Sequence, residues 1–127
     1  MREIKFRGKR IDNGEWVHGG IYVDEKQVGI LTTEIIGASA VIDEVDPATV
    51  GQYTGIKDKK GVEIYEGDIV TGRDALSEGF SFTGFVDHEN GSFVIKSAIV
   101  THYRWLDYIL ETIGNLHDSP DILEVKE

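Results

Sequence analysis

Near its start the chain alternates cations with apolar or small residues, Ile4-Lys5-Phe6-Arg7-Gly8-Lys9, and shortly afterwards Trp16, His18 and Tyr22 recur at even spacing. A period of two puts Lys5, Arg7 and Lys9 on one side of a strand and the three rings on one side of the next. If those strands pair, cations and rings interleave on one sheet face. Such a face suits single-stranded nucleic acid, whose bases stack on rings while cations follow its phosphates. The competing use of the same six residues is structural: Lys and Arg stems lie over Trp16 and Tyr22, with cation–π contacts worth about 0.5–1 kcal/mol at exposed sites.

Other polar groups are weaker candidates. Asp87-His88-Glu89 has the residue types of a metal or acid/base cluster, but in a strand the two acids point away from the histidine. His88 then packs beside Phe93. Glu63, Glu66 and Asp68 could supply paired carboxylates for glycoside hydrolysis only if they met across a cleft, and their polar turn favours bonds to backbone instead. There is no His-Glu-x-x-His spacing, no Gly-x-Ser-x-Gly elbow, no Walker-type phosphate loop and no cysteine. No catalytic residue, metal or cofactor is assigned from these residues.

The elements that must carry these groups are mostly strands. Fifteen glycines punctuate short segments rich in Val, Ile, Thr, Tyr and Phe, and few stretches repeat apolar residues at helical spacing. Two Asn-Gly pairs predict type I′ hairpins. A two-residue turn at Asn13-Gly14 sets Ile11 opposite Trp16, Lys9 opposite His18, Phe6 opposite Ile21 and Ile4 opposite Val23. The opposite face, with Ile4, Phe6, Val17, Ile21 and Val23, then faces the core. A turn at Asn90-Gly91 sets His88 opposite Phe93 and Val86 opposite Ile95, with Phe82 further along that face. Gln27 to Thr33, Ser39 to Val45 and Ile69 to Thr71 read as further strands, and Asp46-Pro47 as a capped turn. Gly72 to Gly79 reads as a polar loop. Tyr103 to Leu110 fits either a short helix or, over Tyr108 to Leu110, a strand, and Ser119-Pro120-Asp121 has the order of a helix start.

Composition bounds the rest. The 127 residues include 13 Lys+Arg and 23 Asp+Glu, a net charge of −10, with 40% hydrophobic residues. One globular domain over residues 1–127 fits that length. No apolar run could span a bilayer and the opening lacks a signal peptide's apolar core, so a cytoplasmic, non-membrane protein is expected. The charge is uneven: the first ten residues carry five basic groups and one acidic, the remaining 117 carry eight basic and 22 acidic. The whole-chain field repels phosphate. It equally suits an acidic protein that engages the basic site of a host DNA-binding protein.

The block Val45 to Val70, VDPATVGQYTGIKDKKGVEIYEGDIV, resembles the signature of the YopX family of phage and prophage proteins. Ile113-Gly114-Asn115-Leu116, Ser119-Pro120-Asp121-Ile122-Leu123 and the opening Arg2 to Arg7 extend the resemblance over nearly the whole chain. Lys60, Ser119 and Gly8-Lys9 depart from the family pattern. The resemblance implies a phage or prophage origin, a β-rich fold and self-association as a homo-oligomer; it implies no reaction, and a phage or host protein in a bacterial host is the expected partner. Gln52, Tyr53, Thr54, Gly55, Asp58, Gly61, Tyr65, Gly67, Asp68, Gly114 and Asn115 carry the signature. In residue terms, Asp58 can bond the backbone ahead of it and Gly61 can take positive φ, while Ile64 to Val70 reads as a turn entering a strand. The expected fold is mostly β, an open or partial barrel with SH3-like features and short helical elements near the C-terminus. The expected role is binding or assembly, with nucleic acid or a basic host protein as alternatives.

Overall fold

The computed structural model describes residues 3–36, 39–74, 81–98, 100–105 and 108–124. The fold is mostly β, as expected. The chain forms two compact units, residues 1–55 and 56–127, each built on an antiparallel sheet.

The first unit holds β1 (Phe6–Lys9), β2 (Trp16–Val23), β3 (Val28–Ile36), β4 (Ser39–Glu44), a 3-10 turn (Pro47–Thr49) and the start of β5 (Gly51–Lys57). Its strand order is β4-β3-β2-β1-β5. The sheet curls, and one isolated bridge joins Arg10 to Val45. There Ile11 N–H donates to the Glu44 carbonyl (3.1 Å) and Asp46 N–H to the Lys9 carbonyl (2.9 Å). Curvature brings the Val45 side chain against Gly8, where a Cβ would sit 2.9 Å from Val45 Cγ2. The barrel is therefore partial, and it does not close. Asp46 caps the turn through Ala48 N–H at 3.0 Å, and Thr49 Oγ1 accepts from Lys9 N–H at 2.9 Å.

The first hairpin departs from the expected register. Lys9 lies opposite Trp16, Arg7 opposite His18 and Phe6 opposite Gly19. The loop has four residues: Arg10 N–H bonds the Glu15 carbonyl and Gly14 N–H bonds the Arg10 carbonyl. Gly14 takes φ +73°, but Asn13 is not among the residues of positive φ, so no type I′ turn forms. Side chains satisfy the longer loop. Asn13 Oδ1 accepts Glu15 N–H at 2.9 Å, and the Arg10 guanidinium grips both Asp12 oxygens at 3.0 and 2.8 Å. The expected core face is also corrected. Ile4 and Val23 are 68% and 65% exposed and Ile21 is exposed, although Ile21 and Val23 pair with Ile30 and Val28 of β3; Phe6 and Val17 are only half-buried. Ile30 and Val45 are fully buried instead.

In the second unit β6 (Glu63–Tyr65), β7 (Asp68–Asp74), β8 (Ser81–Glu89), β9 (Ser92–Ser97), β10 (Thr101–His102) and β11 (Tyr108–Asn115) are followed by a 3-10 helix (Pro120–Glu124). The sheet order is β10-β9-β8-β7-β11. Here the hairpin forms as expected: Asn90 and Gly91 have φ of 52° and 83°, with His88 opposite Phe93 and Val86 opposite Ile95. Gly72 to Asp74 extend β7 and are no loop; residues 75–79 of that expected loop lie outside the described residues. Gly72 pairs with Phe82, whose ring would lie 2.5 Å from a Cβ there, so the bare glycine makes room for it. From Tyr108 the chain is strand, while residues 106–107 lie outside the described residues. Ile64, Val70, Val86, Ile95, Trp105 and Leu110 form the core, with Phe82, Phe93 and Tyr108 packed against it.

His102 closes one end of that core. Its ring stacks on Phe82 with centroids 3.9 Å apart, and Nδ1 lies 3.1 Å from the Tyr108 hydroxyl. Ser97 Oγ donates to the Val100 carbonyl at 3.0 Å, so toward His102 Nε2, 3.5 Å away, Ser97 acts as acceptor. In the neutral imidazole, with its proton on Nε2, Nδ1 accepts from the Tyr108 hydroxyl. Burial lowers the imidazole pKa. The unfolded chain, with His near 6.5, therefore binds more protons over the interval below that value, and stability falls as pH drops into it. Urea midpoints of the protein and of His102→Phe between pH 7.5 and 5 measure this; the wild-type fall exceeds that of the variant, and parallel curves would refute the linkage.

Candidate binding face

Slipping a hairpin register by two residues leaves every side chain on its face, since the pleat repeats every two. The basic and aromatic face anticipated from the sequence is therefore present with altered partners. Arg7 places its guanidinium carbon 4.6 Å from the Trp16 ring centroid, and Lys9 Nζ lies 5.7 Å from the same ring. Lys5 Nζ lies 5.3 Å from the Tyr53 ring and 3.5 Å from Glu3. Arg7 is only 8% exposed, whereas His18 is exposed and Lys5, Lys9, Trp16 and Tyr22 are half-buried. Tyr22 donates its hydroxyl to Asp24 at 3.0 Å, which raises the phenol pKa. The sequence reading missed Asp24. Its Oδ1 also accepts from Lys26 and Gln27 N–H, and these bonds, the backbone ones first, lower its pKa. The signal was a lone Asp opening a polar tetrapeptide between two strands.

The signature residues build corners. In the first unit Gln52 lies opposite Phe6, Tyr53 N–H bonds the Lys5 carbonyl at 2.8 Å, Tyr53 and Thr54 are buried, and Gly55 takes φ +87°. In the second unit Asp58 is buried with three backbone donors: Lys60 (2.8 Å) and Val62 (2.9 Å) on Oδ1, Thr112 (3.0 Å) on Oδ2. Burial opposes its ionisation, and the N–H groups of Thr112, Val62 and Lys60 outweigh it, so its pKa lies below the ordinary value. Gly61, at φ +83°, completes that turn. Asp68 is buried, and its Oδ2 accepts Tyr65 N–H at 2.8 Å; the buried Tyr65 donates its hydroxyl to Glu63 at 3.0 Å. Gly67, φ +90°, links Val86 and Leu116 through its own N–H and carbonyl.

Gly114 makes room for Ile122, whose Cδ1 would lie 2.9 Å from a Cβ. Asn115 Oδ1 gathers the N–H groups of His117 and Asp118. The Asp87-His88-Glu89 trio divides as a strand requires: both acids reach Lys96, at 3.0 and 3.3 Å, while His88 meets Phe93 edge to face at 5.1 Å. Among the described residues no three His, Asp or Glu side chains converge as a metal site, and no described helix is long and apolar enough to cross a membrane.

Two antiparallel sheets with carboxylate-held corners thus define a mostly β protein whose signature block is architectural in its contacts. The chain belongs to the YopX protein family, whose sequence description matches residues 5–124. Among solved structures, the crystal structure of protein EF1440 from Enterococcus faecalis is similar, with a TM-score of 0.60 and 22% identity over 97% of this chain and 99% of that one. At that identity the likeness is one of fold. No curated protein matches the chain.

The role of Asp58 has a direct test. Asp58→Asn keeps the size but puts an amide NH2 against a backbone donor, so unfolding free energy falls by about 1.5–3 kcal/mol, the range for hydrogen bonds to charged groups. A folded pKa below the unfolded value makes this contribution complete above about pH 4 and lost as pH falls through the folded pKa. In denaturant titrations of both proteins the stability difference should therefore be smaller at pH 3 than at pH 7. A variant as stable as the parent at pH 7 would contradict the assignment.

Proposed function

We propose that this YopX protein acts by binding or assembly, as an accessory protein of a phage or prophage in the cytoplasm of a bacterial host, and carries out no reaction. One observation carries the reading: two acids of the signature block, Asp58 and Asp68, commit carboxylate oxygens to backbone N–H groups inside the fold. They serve the shape of the second unit, and recognition is left to the surface of the fold. Self-association is part of the proposal, with the buried Tyr53 and Tyr65 supporting the corners behind the interface. Light scattering on the purified chain should give a multiple of the monomer mass. Tyr53→Ala and Tyr65→Ala should each change that mass or cost about 3 kcal/mol of stability, as large-to-small core changes do. A monomer at every concentration, with both variants unaltered, would overturn the assembly half.

The gathering of Lys5, Arg7, Lys9, Trp16 and His18 on one face favours single-stranded nucleic acid as a second reading. Against it, two cations already lie within 6 Å of the Trp16 centroid, so a base stacking there meets a cation-covered ring. Mobility shift of a labelled oligonucleotide at low salt decides: absence of a shift ends this reading.

A further inference from the structure

A sheet edge exposes a row of unpaired N–H and C=O groups that can template another strand. β4 ends the strand order of the first unit. The bond from Val45 N–H to the Val28 carbonyl (3.0 Å) fixes the alternation: Val45, Asp43 and Val41 turn their backbone groups toward β3, and Glu44 and Ile42 turn theirs outward. Glu44 uses its outward carbonyl for Ile11 N–H. The Glu44 N–H and both backbone groups of Ile42 have no hydrogen-bond partner among the described residues.

The side chains beside this gap specify an occupant. Ile42 pairs across the ladder with Leu31 and Glu44 with Gly29, so Ile42, Leu31 and Glu44 share one face. Ile42 and Leu31 are 41% and 36% exposed, and Ile42 lies over the bare backbone of Gly29, where a Cβ would be 2.5 Å from Cγ2. Glu44 is exposed, and no ion pair engages it among the described residues. Asp43, on the same strand, lies 3.8 Å from Arg10. A second copy of β4 would bring the same two acids to an edge that is already acidic. A strand that offers an apolar residue and, two positions on, a cation meets Ile42 with Leu31 and then Glu44.

We propose that the outer edge of β4 binds an extended, basic peptide segment of a partner protein by strand addition at Ile42, with an apolar side chain over Leu31 and Ile42 and a lysine or arginine at Glu44. This rests on the reading of the protein as a binding module and names its surface and partner class. The probes are two ten-residue peptides repeating Val-Thr-Lys-Thr or Val-Thr-Glu-Thr, followed by fluorescence anisotropy and by amide exchange of the 15N-labelled full chain. The lysine peptide should bind. At about ten times its Kd it should slow exchange at the Ile42 amide about tenfold. Glu44→Lys, an exposed change that leaves the fold intact by its unchanged spectrum, should weaken binding about fivefold. Equal binding of the glutamate peptide, an Ile42 amide left unprotected by bound peptide, or an indifferent Glu44→Lys each overturns the proposal. Protection of Ile42 that rises with protein concentration alone would assign the edge to self-pairing, which overturns this partner and leaves the assembly reading standing.

Discussion

The architecture of the second unit depends on one buried carboxylate. Asp58 is the common acceptor for Lys60, Val62 and Thr112, so it shapes the turn that leads to β6 and at the same time anchors the backbone of β11. A neutral side chain of similar size offers one acceptor oxygen where three donors converge; the carboxylate offers two, with room for all three. The charge persists under burial because its partners are fixed N–H dipoles that replace water. Asp68 repeats the device on a smaller scale at the next corner, holding Tyr65 N–H. Corners made this way need no helix, and the helical elements among the described residues are 3-10 turns.

The same economy of backbone groups governs the sheet edges. In the second unit β11 receives Lys59 N–H on its Leu110 carbonyl, next to the Asp58 bond to Thr112. At the other side, Trp105 donates its indole N–H to the Phe93 carbonyl of β9 at 3.1 Å. β10, only two residues long, leaves part of β9 unpaired, and the indole covers that part. In the first unit the return of the chain at Arg10 and Val45 covers one end of β4 only. β4 contrasts with the two edges of the second unit: those carry dedicated side-chain or turn donors, and β4 carries exposed isoleucine and glutamate.

Identical dipeptides in this sequence gave different turns, and the difference marks the limit of local reading. At Asn90-Gly91 the flanking strands continue the two-residue ladder, so local preference and tertiary structure agree. At Asn13-Gly14 the bridge of Arg10 to Val45 competes for the strand end, while Asp12 and Asn13 satisfy the longer loop. Neither the bridge nor the curl that creates it leaves a mark in residues 9–16. Face composition was legible because it depends only on parity; pairing was not, because it depends on the turn. The corner chemistry of Asp46, Asp58 and Gly61 was legible, being local. The reach of Asp58 to Thr112, 54 positions on, was not.

The buried arginine shows how the net charge misleads when read as a uniform property. Arg7 is counted as part of a cationic opening, yet at 8% exposure it presents little of that charge to solvent. Its guanidinium lies over the Trp16 ring, whose electron-rich face attracts it. Lys9 shares that ring, and Lys5 divides its ammonium between Tyr53 and Glu3. The cations of β1 are thus partly turned inward, binding the sheet to its own aromatic side chains. A partner approaching the first unit therefore meets less positive charge than the opening sequence suggests. At β4 the exposed carboxylate of Glu44 is the charge that the proposed basic segment would answer, in a protein whose first residues are themselves basic.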